Sequence, residues 1–109
     1  MNRYTELSDF EINKKVAESL KLNTIAYERT EIVLFDDMDA TPFAPCNNPS
    51  DAMPIIIGNK IGMNFIGNIV GWSASHICES KGELEVYDKN YYRAAMTCFL
   101  IMKDAENEG

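Results

Sequence analysis

The sequence predicts a single α+β domain over residues 1–109, in which a small antiparallel sheet packs with about three helices in an α-β-α sandwich-like arrangement. Three observations predict this class. Segments near both ends of the chain have helical hydrophobic periodicity, short β-branched and aromatic runs lie between them, and glycines and prolines separate those runs. A chain of 109 residues is close to the commonest domain size, so one core is expected.

The first helix is predicted over residues 8–21. Ser8 and Glu11 have the spacing of a capping box, and apolar residues then recur on one side of the helix. Asn13 interrupts that apolar side. Because buried amides are normally hydrogen-bonded, Asn13 is either a core residue paired with nearby backbone or a contact for a ligand or partner.

Short strands are predicted at residues 25–27 and 31–35, which are rich in β-branched and aromatic side chains. Residues 36–42 form a polar loop with three aspartates. This loop lacks the central glycine and the distal glutamate of an EF-hand, so a calcium site is not predicted there. We interpret the aspartates as a solvated loop.

A second helix is predicted over residues 51–61, after a segment punctuated by prolines. Asn48 or Ser50 can cap it, and proline is tolerated in the first turn. With Ser50 as the cap, Pro54 falls at the fourth helical position, where its missing N–H costs little. Periodicity does not exclude a buried strand over residues 54–58, so both structures stay open.

Glycines divide the next part of the chain into short pieces. Strands are predicted at residues 63–65, 69–77 and 84–87, with a turn at residues 80–82.

The last helix is predicted from a cap at Asp88 or Asn90 to about Asp104, followed by a frayed tail over residues 105–109. Apolar side chains cover most of its circumference. The remaining narrow polar stripe consists of Arg93, Thr97 and Asp104. A helix of this kind is buried on more than one side, either deep against the sheet or at an oligomer interface.

Composition limits the partners and the compartment. The chain has 17 acidic and 10 basic residues and a formal charge of -7, so we expect no binding to nucleic-acid polymers. Its three cysteines have no paired spacing, which is typical of a reducing compartment. We find no signal peptide and no apolar run long enough for a membrane span, so we expect a soluble cytosolic protein without membrane contact.

The sequence gives little support for catalysis. His76 and Cys78 would share one face of a strand, but no nucleophile motif surrounds them. A zinc site from His76, Cys78 and Cys46 would lack the paired ligand spacing of structural zinc sites. We therefore expect a non-enzymatic protein with no catalytic residues, no metal site and no cofactor.

Binding is better supported. The start of the second helix offers backbone N–H groups to an anion, although Asp51 competes for that positive end. Arg93 on a mostly apolar helix requires either an anionic ligand or an internal carboxylate such as Asp51. Aromatic residues near loops can stack on a ligand, with core packing as the alternative. The candidate ligand-binding residues are Asn13, Phe43, Asn47, Asn48, Ser50, Asp51, Trp72, Tyr92 and Arg93.

Three blocks of sequence resemble the NinX-like proteins of lambdoid phages. The blocks are residues 6–17 (ELSDFEINKKVA), 45–52 (PCNNPSDA) and 92–100 (YRAAMTCFL), and they occur in the expected order. The chain also looks distantly similar to the phage α-β-α sandwich domain. The resemblance implies an accessory protein of undefined activity, made in the cytoplasm of the infected bacterial host, and it supplies no catalytic residues.

Several compact phage proteins counter host defence by sequestering nucleotide-derived signals between subunits. By analogy with them, we expect a homo-oligomer that binds a small anionic or nucleotide-like ligand. The alternative is a protein-interaction module that inhibits or adapts a host protein, such as a basic one attracted by the charge of -7.

Overall fold

Three helices and five strands make up the part of the chain that the computed structural model describes, residues 3–78 and 82–108. In chain order they are α1 (Asp9–Ser19), β1 (Thr24–Tyr27), β2 (Ile32–Phe35), α2 (Pro49–Gly58), β3 (Gly62–Gly67), β4 (Gly71–Cys78), β5 (Gly82–Asp88) and α3 (Tyr91–Glu108). The α+β class is confirmed. The strands form two antiparallel sheets, β1-β2 and β3-β4-β5, where the sequence predicted one.

The helix α3 is the central element. Its residues 94–100 are all buried, because α3 packs against β4 and β5 on one side and against α1 and α2 on others. The small sheet β1-β2 joins this arrangement through contacts between α1 and β2. The apolar circumference of α3 is therefore covered within the chain, and it does not by itself require an oligomer interface.

The sheet β3-β4-β5 has one packed face and one exposed face. Ala74 of β4 pairs with Val86 of β5, and both are buried beneath α3. Side chains on the opposite face alternate outward, as the pleat of a strand requires. On that face Ile77 is 71% exposed and Tyr87 is 54% exposed. The predicted turn at residues 80–82 falls mostly on residues 79–81, which lie outside the described chain.

The helix α1 begins as the sequence predicted. The Ser8 Oγ accepts a hydrogen bond from the Glu11 N–H at 3.1 Å, and Glu11 Oε1 accepts one from the Ser8 N–H at 3.0 Å, which completes the capping box. The helix ends at Ser19, two residues earlier than predicted. The reason is that Lys21 adopts a left-handed conformation with φ of 58°, which stops the helix.

The helix α2 begins two residues before the predicted start and ends at Gly58 rather than at residue 61. Asn48 is the cap, and its side chain accepts a hydrogen bond from the Ser50 N–H. Pro54 therefore lies inside the helix, at its sixth residue, where it removes an intrahelical hydrogen bond to Ser50. Because Ser50 and Pro54 are both exposed, water can occupy the place of the missing N–H. The strand alternative for residues 54–58 is wrong.

The cap of α3 is Asn90, one of the two predicted residues. Its Oδ1 accepts a hydrogen bond from the Arg93 N–H at 2.9 Å. The prediction of a frayed tail over residues 105–109 is wrong for residues 105–108, which continue the helix. The tyrosine hydroxyl of Tyr4 donates to Asp104, which ties the last turns of α3 to the start of the chain. Among the described residues, no helix is both long and apolar enough to cross a membrane.

Candidate cleft between α1, β2 and the loop before α2

A cleft of about 470 Å³ lies between the start of α1, the strand β2 and the loop that leads into α2. The cleft has apolar walls, to which Phe43 and Val33 contribute. Its polar lining consists of Ser8, Asp9, Asn13, Glu31 and Asn47. Three of the predicted site residues, Asn13, Phe43 and Asn47, thus come together here.

Asn13 is 5% exposed and holds the loop before α2 through one side-chain atom. Its Oδ1 accepts a hydrogen bond from the Cys46 N–H at 2.9 Å, so the predicted pairing with backbone is confirmed. Its Nδ2 donates to no acceptor within residues 3–78 and 82–108. No described side-chain nitrogen or oxygen that is fully sealed in the core lacks a partner. Asn13 is among the residues that line the cleft, and its Nδ2 is not fully sealed from solvent.

Asp9 connects the cleft to the rest of the molecule. Its Oδ1 accepts a hydrogen bond from Arg93 Nη1 at 2.7 Å, and its Oδ2 accepts one from Asn47 Nδ2 at 3.2 Å. Asn47 is thereby fixed at the rim. Glu31 also lines the cleft, from the turn after β1, where it has a left-handed φ of 57°.

Arg93 uses its side-chain donors within the protein. Its Nε donates to Asp88 Oδ2 at 3.1 Å, and its Nη1 donates to Asp9. Its Nη2 donates to three backbone carbonyls, those of Tyr4, Thr5 and Leu7. The side chain is only 14% exposed. The sequence left two kinds of partner open for Arg93, an anionic ligand or an internal carboxylate. In the structure Arg93 pairs with internal carboxylates, and these belong to Asp9 and Asp88 rather than to Asp51.

The backbone N–H groups at the start of α2 are also used internally. The Ser50 N–H donates to Asn48 Oδ1 at 3.0 Å, and the N–H groups of Asp51 and Ala52 donate to the Asn48 carbonyl at 3.1 Å. Pro49 has no N–H to offer. The Asp51 carboxylate accepts a hydrogen bond from the Ala44 N–H at 2.9 Å. The predicted anion site at residues 48–51 therefore has its donors already paired.

Trp72 and Tyr92 lie in an aromatic cluster between the three-stranded sheet and the start of α3. Edge-to-face contacts link the rings in series. Phe65 meets Trp72 at 5.3 Å between centroids, Trp72 meets Tyr91 at 4.9 Å, and Tyr91 meets Tyr92 at 5.0 Å. Neither Trp72 nor Tyr92 lines the cleft. Phe43 does, and it also packs edge-on against Phe35 at 5.6 Å.

The surroundings of the cleft are negatively charged. Asp9 and Glu31 line it, and Asp88 shares the Arg93 guanidinium with Asp9. The positive charge of Arg93 is thus outnumbered by the three carboxylates of Asp9, Glu31 and Asp88. This balance disfavours a phosphate or carboxylate in the cleft and favours a ligand that brings N–H donors or a positive charge.

The cysteines described by the structure are not activated. Burial raises the pKa of Cys46 to about 12, with the negative charge of Asp9 adding to the effect. Burial also raises the pKa of Cys98 to about 12. Both thiols are protonated at neutral pH, whereas a nucleophilic cysteine needs a thiolate.

The sequence disfavoured both a Cys–His pair and a zinc site, and the structure shows where their residues lie. The half-exposed His76 places Nδ1 3.4 Å from the Lys60 carbonyl oxygen. The side chain of Cys78 lies outside the described residues. Within residues 3–78 and 82–108, no three His, Cys, Asp or Glu side chains are grouped to hold a metal ion.

The two charged residues in the cleft lining, Asp9 and Glu31, were not among the predicted site residues. Asp9 had a usable signal, because it precedes Asn13 by four residues and therefore shares its side of α1. Glu31 had none, since its position depends on the left-handed turn between β1 and β2.

The fold and the cleft define a small α+β protein built around its last helix, with a cleft of apolar walls and a few polar groups whose size suits a small ligand. A family model described as "Bacteriophage P22, NinX" matches residues 3–103, and the chain therefore belongs to this phage family. The resemblance drawn from the three sequence blocks is confirmed. No curated protein and no solved structure matches the chain. Membership in the family makes this a phage protein and is consistent with an accessory role.

Proposed function

We propose that this phage protein is non-enzymatic and counters a host antiviral defence by holding a small, nucleotide-derived signalling molecule in the cleft. The observation that carries the proposal is the cleft itself. Its volume of about 470 Å³ is within the range of small-molecule sites, and apolar walls with a few polar groups are typical of such sites. Asn13 supplies a donor that no described acceptor takes.

The internal contacts change which residues we expect to touch the ligand. Asn13, Phe43 and Asn47 remain contacts, joined by Asp9 and Glu31. The roles proposed for Asn48, Ser50, Asp51 and Arg93 become structural, because their donors and acceptors are engaged within the chain. Trp72 and Tyr92 belong to the aromatic cluster beside α3.

Ligand retention tests the proposal directly. The protein is purified from infected cells and examined by native mass spectrometry, and bound molecules are then recovered intact after heat denaturation. We expect one small molecule per cleft. An Ala44→Phe variant, which fills the cleft, should lose it, whereas Asn68→Phe, which adds the same ring at an exposed position outside the cleft, should keep it.

The same spectra report the subunit number and test the expected homo-oligomer. A wild-type protein that retains no small molecule, and that depletes none from a broad panel of signalling nucleotides, contradicts ligand sequestration. A host cytoplasmic site of action follows from the proposal, since the signal would be made in the infected bacterium.

The alternative function is a protein-interaction module, and one surface favours it. The hairpin between β3 and β4 exposes four large apolar side chains near its tip, Phe65 (57% exposed), Ile66 (50%), Ile69 (86%) and Val70 (43%). Adjacent exposed apolar groups of this kind mark interaction surfaces. The formal charge of -7 selects a basic host protein as the partner.

A pull-down from host lysate distinguishes the alternative from ligand binding. The protein-interaction alternative predicts one stoichiometric partner, whose association rate falls as the salt concentration rises. The Ile69→Ser variant should no longer capture that partner. The matched control is Ile57→Ser, which removes another exposed isoleucine, 65% exposed, from α2. Loss of capture in Ala44→Phe but not in Ile69→Ser would contradict the hairpin as the binding surface.

A further inference from the structure

We infer that the cleft recognises an uncharged nucleobase-like ring, one that presents a carbonyl oxygen flanked by N–H groups, and that it keeps phosphate outside. This inference rests on the proposed ligand-binding function and narrows it to a chemical class. It also reverses the expectation that an anionic group is the part of the ligand that the protein recognises.

The floor of the cleft offers a fixed donor. The Asn13 amide has one orientation, because its oxygen must accept the Cys46 N–H. Its nitrogen then points its hydrogens elsewhere, and no described group accepts them. Asn13 as a whole is 5% exposed, but its unpaired nitrogen keeps access to solvent, because no fully sealed side-chain atom among the described residues lacks a partner. A carbonyl oxygen is the complementary group for such an N–H donor.

The walls beside that donor offer acceptors. Each Asp9 oxygen receives one hydrogen bond, from Arg93 or from Asn47, and a carboxylate oxygen accepts two. Asp9 and Asn13 are four residues apart on α1, so their side chains are about 5–6 Å apart at Cβ and one small ring can meet both. Glu31 provides a second carboxylate in the cleft lining.

The remaining walls suit a flat ring. Phe43 and Val33 are nearly buried, and with Pro42 they form an apolar surface along the cleft. A heterocycle with polar edges and apolar faces matches this combination. The volume of about 470 Å³ exceeds that of a single base and leaves room for an attached sugar.

The charges exclude phosphate from the same space. The guanidinium of Arg93 is shared between Asp9 and Asp88, and the N–H groups at the start of α2 are paired within the chain. A phosphate in the cleft would meet the carboxylates of Asp9 and Glu31, and the neutral amide of Asn13 carries no charge to offset them. Any phosphate carried by the ligand must therefore extend into solvent.

Calorimetric titration of the full chain with nucleosides and their 5′-monophosphates tests this chemistry. Guanosine and uridine each have a ring carbonyl next to N–H, whereas adenosine has no carbonyl. We expect guanosine or uridine to bind at least about tenfold more tightly than adenosine. Addition of a 5′-phosphate should weaken binding rather than strengthen it.

Two variants assign the effect to the cleft. Asn13→Asp keeps the acceptor for Cys46 and removes the donor, so it should weaken nucleoside binding by at least about tenfold. Glu31→Gln removes an exposed charge and should reduce the penalty of the 5′-phosphate several-fold, with the fold intact. Glu18→Gln on the exposed side of α1 is the matched control, and it should change neither value.

The contradictory outcomes are distinct from failure of the proposed function. Equal binding of adenosine, tighter binding of the monophosphates, or full affinity in a folded Asn13→Asp protein would overturn the inference. If the Asn13→Asp variant does not fold, the relative affinities of the nucleosides and the effect of Glu31→Gln on monophosphate binding test the inference instead. If the protein binds no nucleoside but retains another molecule, or binds an arginine amide instead, the inference of a nucleobase-like ring is refuted. The proposal that the protein sequesters a small ligand is not contradicted by that result.

Discussion

Arg93 joins three separate parts of the chain through one guanidinium group. It contacts Asp88 just before α3, Asp9 at the start of α1, and the backbone carbonyls of the segment that precedes α1. A planar group with five N–H donors can serve all of these acceptors at once, which an ammonium cannot. Arg93 therefore fixes the start of the chain against α3.

Substitution of Arg93 by lysine tests this structural role. We expect Arg93→Lys to lower the free energy of unfolding by about 2 kcal/mol, because a single ammonium leaves several buried acceptors unpaired. Urea unfolding followed by circular dichroism measures the loss. The control, Arg29→Lys, exchanges the same groups at an exposed position and should have almost no effect. Equal stabilities of the two variants would contradict the role of Arg93.

For single residues, the sequence showed which side chains require a hydrogen-bonding partner more reliably than it showed which residue that partner is. It indicated that Asn13 and Arg93 each require a hydrogen-bonding partner, and each has one. It did not identify Asp9 as the partner of Arg93, because the two residues are 84 positions apart and only the packing of α1 on α3 brings them together.

Among the elements, α2 shows how capping residues compete. Both Asn48 and Ser50 are good caps, and local propensity does not choose between them. Proline at the first helical position favours the earlier start, and the structure has Pro49 there. The cost of this choice is an interior Pro54, which an exposed surface position tolerates.

The two possible caps predict different mutational effects. With Asn48 as the cap, Asn48→Ala should lower the free energy of unfolding by about 1 kcal/mol, since the Ser50 N–H loses its acceptor. Ser50→Ala, made at the cap that the sequence also allowed, should change it far less. Thermal or urea unfolding of both variants gives the comparison, and the reverse order would place the helix start at Ser50.

The close approach of the start of β4 to the segment between β5 and α3 depends on Gly71. Its φ of 94° is a left-handed value, and a Cβ at this position would lie 2.5 Å from Lys89 Cα and 2.7 Å from the Asp88 carbonyl oxygen. Gly71→Ala should therefore lower the free energy of unfolding by at least about 2 kcal/mol. Gly67→Ala, across the same hairpin, meets no atom within 4 Å and should be tolerated. A folded, fully stable Gly71→Ala protein would refute the predicted clash.

For the molecule as a whole, local patterns predicted the α+β class, the order of helices and strands, and the burial of the last helix. They did not predict that β1-β2 separates from the three-stranded sheet, because pairing between strands depends on distant contacts that alternation does not encode. The cleft had the same limitation. Its walls come from α1, β2 and the loop before α2, and Glu31 enters it through a turn.

We expect the stability of the whole fold to depend on pH through the phenol group of Tyr4. This residue is 2% exposed and its hydroxyl donates to Asp104, so burial, together with that carboxylate, raises the pKa of Tyr4 above 10.0. The neutral phenol therefore stabilises the folded state below pH 10, and this contribution is lost as the pH rises through the raised pKa. We expect the free energy of unfolding to fall over the range from about pH 10 upward, as the pH passes through that raised pKa.

Urea unfolding across that range gives the measurement. Tyr4→Phe should be about 1 kcal/mol less stable than the wild type at neutral pH, and it should lose less stability at alkaline pH. Tyr27→Phe removes a half-exposed phenol from β1 and should follow the wild type. An alkaline loss that is the same in Tyr4→Phe would assign the effect to other groups.

The central position of α3 has a consequence for biosynthesis. Among the described elements α3 is the last to leave the ribosome, yet α1, α2 and the three-stranded sheet all bury their apolar surfaces on it. Until α3 emerges, the earlier elements lack the surface on which they pack, and their apolar faces stay exposed. Formation of the core therefore waits for α3, and a chain that stops before Tyr91 should stay unfolded and sensitive to proteases.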